Sequence, residues 1–370
     1  MPTPPYRADH VGSLLRPENV KKARKAFHDK TISAEELKAA EDAGIREAIA
    51  LQESVGLQIV TDGEIRRTFW HYDFMDGLTG LDMVAGPEEE AVQFHGIKIP
   101  AVFPTISQRL DFPLDHPMID HYKFLAANTK VTPKISIPGP SCVHFRTATK
   151  DIHVEEYKDL PTFFADLSKT YAKAVKTFYE AGCRYLQMDD IYFAYLGDEK
   201  IRAQKRAEGV DPDWLIDQYA IMMHEAIKDR PADMLIGMHM CRGNFRSTWA
   251  AEGGYDAAAD AIFNKSGVDM FFMEYDSDRA GGLEPLRLLS KGKQRVYPGF
   301  ITTKTPELEK LDDLKRKFEE ASKYADLDQL GIAPQCGFAS TEEGNAITPD
   351  EQKRKLELVV KTAEAIWGTA

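Results

Sequence analysis

The chain has 370 residues, 43% of them hydrophobic, and a net charge of −12 from 47 Lys and Arg against 59 Asp and Glu. That length and apolar share support one large core, and the acidic balance disfavours non-specific binding to nucleic acid or to a membrane surface. The opening MPTPPYRADH has no apolar signal core, no run approaches a membrane span, and the four cysteines (Cys142, Cys183, Cys241, Cys336) are widely separated. Such sparse cysteines suit a reducing compartment, so a cytoplasmic location is expected.

Along the chain, short β-branched or apolar runs end in polar residues and give way to helical stretches. Strands are predicted at 8–15, 56–64, 133–140, 183–190, 234–241, 268–276, 294–301 and 330–336. Two helices are predicted within 18–55, and others at 161–182, 211–229, 305–325 and 348–368. Strands alternating with helices imply a parallel sheet, and eight such units imply a (β/α)8 TIM barrel, one domain over residues 1–370. Residues 65–132 are too long for a loop and alternate like a hairpin at 91–103, so they are expected to form an insertion at the barrel mouth after the second strand. An open doubly wound sheet is the alternative, disfavoured because no glycine-rich phosphate fingerprint follows the first strand.

In a barrel the carboxyl ends of the strands carry the chemistry. Here they carry Ser13, then Asp62 and Glu64, then Gln187, Asp189 and Asp190, then His239 and Cys241, then Glu274, and finally Cys336. Residues two apart on a strand share a face, so His239 and Cys241 point the same way. One His, two Cys and one Glu form a tetrahedral shell that suits Zn2+, whereas thiolates disfavour magnesium, calcium and manganese. A bland reading stands beside this one: His-x-Cys alone is a weak signal, and small buried cysteines are common. Cys142 and Cys183 read as structural.

These residues resemble the cobalamin-independent methionine synthase family. HMC after an apolar strand, ME at the next strand and PQCG at the last match its zinc-binding elements; HVGSLLRP, DGE and LQMDD match three substrate-binding elements. The resemblance implies zinc held by His239, Cys241, Glu274 and Cys336. It also implies that Ser13 meets the carboxylate of homocysteine and that Glu64 and Asp189 hold its ammonium group. Only the catalytic half of the full-length synthase is matched. The family's pteridine-stacking tryptophan aligns with Arg146 beside Phe145, and its histidine near the seventh strand aligns with Lys304. RRTFWHYDFMDGLTG (66–80) is similar to shorter stand-alone relatives.

Two thiolates and a carboxylate around zinc give an electron-rich centre, which favours alkyl transfer to sulfur over hydrolysis. A zinc-dependent methyltransferase is therefore expected, acting on a small thiol, with homocysteine giving methionine; methyltetrahydrofolate is one of several open methyl donors. Further contacts to substrate or donor are expected from Arg66, His71, Gln187, Arg242 and Lys304, with Trp70 and Tyr72 beside His71 as part of a lid. Arg67, Arg246 and Arg279 also follow strand ends. Two alternatives stand: an alkyltransferase for another thiol such as coenzyme M, and a non-catalytic barrel with structural zinc. The paired carboxylates favour an ammonium-bearing thiol over a sulfonate. No nucleic-acid or membrane partner is expected, and a homo-oligomer is left open.

Overall fold

The computed structural model describes residues 6–85, 92–94, 97–99 and 102–370. The chain begins with α1 (Glu18–His28) and α2 (Ala34–Ser54). A capping box starts α2: Ser33 Oγ accepts from the Glu36 N–H, and the Glu36 carboxylate accepts from the Ser33 N–H. Next come β1 (Ile59–Val60), α3 (Tyr72–Met75), β2 (Thr79–Ala85), β3 (Val92–Phe94), β4 (Ile97–Ile99), β5 (Val102–Asp111) and α4 (Pro117–Asn128). They are followed by β6 (Thr132–Pro133), β7 (Ile135–Pro138), α5 (Pro140–Arg146), α6 (Leu160–Glu180), β8 (Tyr185–Asp189), α7 (Tyr192–Tyr195), α8 (Glu199–Ala207) and α9 (Pro212–Ile227). The last third holds β9 (Leu235–Met240), β10 (Met270–Glu274), β11 (Arg295–Gly299), α10 (Leu311–Ala321) and α11 (Pro349–Trp367).

This is an α/β fold. One parallel sheet runs β11-β10-β9-β8-β7, and β6, just ahead of β7, pairs in parallel with β1. Parallel bridges add Leu330 to Val296, Pro334 to Ile301, and Ala8 to Ile332. Each of the eight predicted strands thus holds a parallel strand or bridge. The first and second segments are tied by the Leu14 N–H donating to Gly63 O (2.9 Å) and by Thr61 Oγ1 donating to Gly12 O (2.6 Å).

Beneath the strand ends lies a small apolar cluster of Ile59, Tyr185, Met270, Phe272, Tyr297 and Ala333, drawn from five different segments. A fully buried ion pair sits against it. Lys134 Nζ lies 4.5 Å from the Phe272 ring centre and donates to Asp9 Oδ1 (2.7 Å) and Gln187 Oε1 (2.9 Å). Tyr185 Oη donates to Asp9 Oδ2 (2.6 Å). A buried charge is tolerable only with such complete pairing, and it demands one register from the strands that supply it.

Three readings need correction. The helix expected at 305–325 is confined to α10, because the Glu309 carboxylate is taken by the Thr302 N–H and by Lys355, which holds 302–310 out of helix. The stretches after β9 and β10 carry only short turns of helix at Ala261–Lys265, Asp278–Ala280 and Glu284–Leu288. Short helices α5, α7 and α8 were not expected. Within 65–132, β2 pairs antiparallel with β5, and β3 with β4 from Val92↔Ile99 to Phe94↔Ile97. The rest of the hairpin read at 91–103, residues 91, 95, 96, 100 and 101, lies outside the described residues. Among those described, no helix is long and apolar enough to cross a membrane.

Candidate metal and substrate site

His239 is the penultimate residue of β9, Cys241 follows the strand at once, and Cys336 lies just past the bridge at Pro334. One donor atom from each falls within 4.8 Å of the other two, and all three residues are buried. The two sulfurs are 3.7 Å apart, with no disulfide between them. Neither ring nitrogen of His239 has a hydrogen-bond partner, so a buried imidazole is left with its lone pair unused beside two thiols. Hydrogen bonding between the cysteines lowers the Cys336 thiol well below its ordinary range, helped by His239, and raises that of Cys241.

The fourth expected ligand is placed differently. Glu274 ends β10 fully buried, but its carboxylate accepts from Arg279 (2.7 Å to Oε1) and from the Arg242 N–H (2.8 Å to Oε2). It is not one of the three clustered donors. Lys304 Nζ is buried without a hydrogen-bond partner. Burial works against its charge, and Glu274, Cys336, Asp276 and Cys241 more than offset this, so its pKa is raised. Lys304 is the counter-charge behind the thiols, and it does not line the cavity in front of them.

That cavity is lined by Ser13, Glu64 and Asp189 as well as by His239, Cys241 and Cys336. Ser13 sits on the loop after Gly12, whose φ of +137° favours glycine. Gly337 lets the Cys336 loop approach it: a Cβ there would come within 1.9 Å of Ser13 Oγ. Glu64 adopts φ +56°, uncommon for a side-chain-bearing residue and a frequent mark of a functional turn. Its Oε1 accepts from Ser136 Oγ (2.9 Å) and lies 3.5 Å from Arg67, while Oε2 has no partner. Asp189 Oδ1 accepts from Gln187 Nε2 (2.7 Å), and burial, with Glu64 nearby, pushes its carboxyl up to about 7. Two buried carboxylates at one end of a cavity are prepared for a cation.

The neighbouring Asp190 has no such role. It is fully buried, accepts from Ser141 Oγ, and has an unpartnered Oδ2; burial pushes it up to about 7. A carboxyl raised in the fold from an unfolded value near ~3.9 favours the protonated form, so stability falls as pH rises from ~4 through ~7. Asp190→Asn is expected to remove that slope, worth up to about 4 kcal/mol. Urea midpoints at pH 5 and pH 8 for both proteins test it; parallel pH trends would refute it.

Of the other residues singled out, His71 lines the cavity together with Trp70, Tyr72 and Arg146, and Arg66, Gln187 and Arg242 do not. The His71 ring lies between Trp70 (4.4 Å) and Tyr72 (3.8 Å), both nitrogens are unpartnered, and burial pulls its pKa well below the ordinary value. Arg66 is drawn away to Glu41 and Asp42 on α2. Gln187 is used up: besides Asp189 and Lys134 it donates to Val11 O (2.6 Å). Arg242 is a fully buried clamp, donating to Gly253 O (2.7 Å), Tyr255 Oη (3.0 Å) and Ala280 O (3.1 Å). Tyr195, Asn244, Phe245, Ser340 and Thr341 also line it and were not singled out by sequence. Asn244 follows Cys241 closely enough to have been a candidate; its Nδ2 donates to Gly337 O (3.0 Å). The loops are strapped together, with Trp70 N–H donating to Ser340 O and Glu342 N–H to Thr68 O, both at 2.9 Å.

A buried His/Cys/Cys group at the carboxyl ends of a parallel sheet, faced by paired carboxylates, defines a group-transfer enzyme, and comparison with known proteins gives its class as methyltransferase. Residues 7–364 match the profile of the cobalamin-independent synthase, catalytic domain; the chain belongs to that family. The uncharacterized protein YxjG of Bacillus subtilis is 46% identical over 366 residues, 98% of this chain and 95% of its own. The methionine synthase of Pyrococcus abyssi is 25% identical over 332 residues, 89% of this chain and 85% of its own. A Listeria monocytogenes structure, provisionally assigned as a vitamin-B12-independent methionine synthase, is 37% identical and covers 99% of both chains with a TM-score of 0.78.

Proposed function

We propose that the protein is a zinc-dependent methyltransferase that methylates the thiol of homocysteine to give methionine. The observation that carries this reading is the unpartnered His239 imidazole beside two thiols, in one cavity with the Glu64–Asp189 pair. The donors fit zinc: tetrahedral coordination with Zn–S near ~2.3 Å puts two thiolates about 3.8 Å apart, against the 3.7 Å found. His239, Cys241 and Cys336 would hold the ion, and Glu274 is the fourth candidate if it exchanges Arg279 for metal. Zinc bound there keeps a substrate sulfur deprotonated and nucleophilic at neutral pH.

The chain's own residues supply the rest. Glu64 Oε2 and Asp189 receive the ammonium group, Ser13 Oγ and the backbone around it receive the carboxylate, and Trp70, Tyr72, Tyr195 and Phe245 wall the sulfur from water. The sulfur–methyl bond forms as the donor–methyl bond breaks, the donor keeping the bonding pair and the thiol giving up its proton. A sulfonate-bearing thiol would meet two carboxylates, which disfavours coenzyme M.

We also infer that the eight parallel segments close into a (β/α)8 barrel spanning 1–370, with 65–132 inserted at its mouth. The cluster drawn from five segments and the Asp9–Lys134–Gln187 link support closure. Zinc stoichiometry by mass spectrometry, followed by homocysteine with a panel of methyl donors and detection of methionine, tests the function. Metal-free protein, or no methionine from any donor, would sink it.

A further inference from the structure

The cavity is lined by groups of both signs, Glu64 and Asp189 as well as Arg146, which lies with His71, Tyr72 and Tyr195. Arg146 is partly buried at the end of α5. Its Nε donates to Tyr192 Oη (2.7 Å), and among the described residues no group accepts from its two terminal amino groups. Burial works against its charge, and the neighbouring phenols of Tyr192, Tyr72 and Tyr195 with the Cys142 thiol more than offset this, so its pKa is raised. A half-buried guanidinium whose terminal amino groups keep no protein acceptor among the described residues can receive an anionic ligand. Beside it, the His71 ring is 3% exposed and has both nitrogens unused. Burial keeps that ring neutral, so it can donate one hydrogen bond without adding a second charge.

Arg146 and Tyr195 also line a second, outer groove. The inner cavity has a volume of about 50 Å³ and the outer groove about 690 Å³. The groove carries Lys150 and Lys205, the latter paired with Glu208 at 2.7 Å. Arg146 therefore stands where a small inner chamber meets a roomy outer one. A second substrate can place only its methyl-bearing end inside, and the guanidinium lies at the junction.

We propose that Arg146, with His71, is the specificity-determining anchor for an oxyanion on the methyl donor, and that it rejects donors whose methyl group sits on a sulfonium or quaternary ammonium. This rests on the methyltransferase reading above. The oxyanion could instead be the carboxylate of the thiol substrate, and the test separates the two sources.

Benzoate and benzyltrimethylammonium share a ring and differ in charge. Their affinities are measured by tryptophan fluorescence on the full-length metal-loaded protein, the Arg146→Gln variant and the Arg146→Lys variant, together with zinc content and homocysteine affinity. The wild type is expected to prefer benzoate at least tenfold. Arg146→Gln should lose that preference and Arg146→Lys keep part of it, with zinc content and homocysteine affinity unchanged. A preference that survives in Arg146→Gln, or a wild type that prefers the cation, overturns the proposal. So does a variant that loses homocysteine while keeping benzoate, which would assign the guanidinium to the thiol's carboxylate. If the protein takes up no zinc or homocysteine yet discriminates through Arg146, the methyltransferase reading falls and the anion site stands.

Discussion

Cys241→Ser or Cys336→Ser is expected to empty the metal site and abolish methyl transfer while leaving the fold in place. Serine at these positions presents a neutral hydroxyl where a soft thiolate is needed, and it does not ionise near neutral pH. Loss of an outer hydrogen-bond partner typically weakens metal affinity ~10–100-fold, so loss of a direct ligand should cost at least ~100-fold. The fold should survive because the change is nearly isosteric and both positions lie at the sheet's rim. Cys183→Ser is the matched control. Cys183 is equally buried, but its sulfur lies 3.3 Å from Tyr185 O, at the far end of β8 from the cavity. Zinc stoichiometry and circular dichroism on the three variants decide the matter: full zinc in the first two, or loss only in the third, removes the site from these residues.

Glu64→Gln and Asp189→Asn should each weaken homocysteine ~10–100-fold, the usual worth of a hydrogen bond to a charged group at ~1.5–3 kcal/mol. The amides preserve the local bonds, since Ser136 and Gln187 can still donate to the remaining carbonyl oxygen. What they remove is charge, and the sensitive comparison is with 4-mercaptobutanoate, which lacks the amine. The wild type should prefer homocysteine strongly and the variants only slightly; an undiminished preference would place the ammonium elsewhere. The pH dependence has a definite sign. With the Asp189 carboxyl near 7, the ionised form that attracts ammonium grows as pH rises through that value, so homocysteine should bind tighter at pH 8 than at pH 6. Asp189→Asn should flatten that part of the profile.

Strand placement was legible because a buried parallel strand must be a continuous apolar run, and polar residues then mark its carboxyl end. That is why Ser13, Glu64, Asp189, His239, Cys241 and Cys336 could be gathered into one cavity before any coordinates were known. What sequence could not supply was the competition among partners for a polar side chain. Arg66 follows a strand end as a substrate-binding arginine would, yet Glu41 and Asp42 on a preceding helix claim it. Glu274 matches the family's ligand position, yet Arg279, five residues on, holds its carboxylate. Tyr195 ends α7 and Phe245 lies beyond β9, and only the path of the chain there turns them toward the cavity. The proposed eight-fold closure would rest on side chains from distant segments meeting inside, a relation with no local signature.

The Ser13 loop, the Trp70 strap and the Cys336 loop lie against one another, although they come from the early and late parts of the chain. This fixes the timing of metal acquisition. A growing chain that has released His239 and Cys241 offers only two donors, about a hundred residues before Cys336 and its docking partner meet. On the proposed zinc reading, metal loading would therefore be the closing event of maturation, unlike small zinc modules in which the ion drives folding from the start.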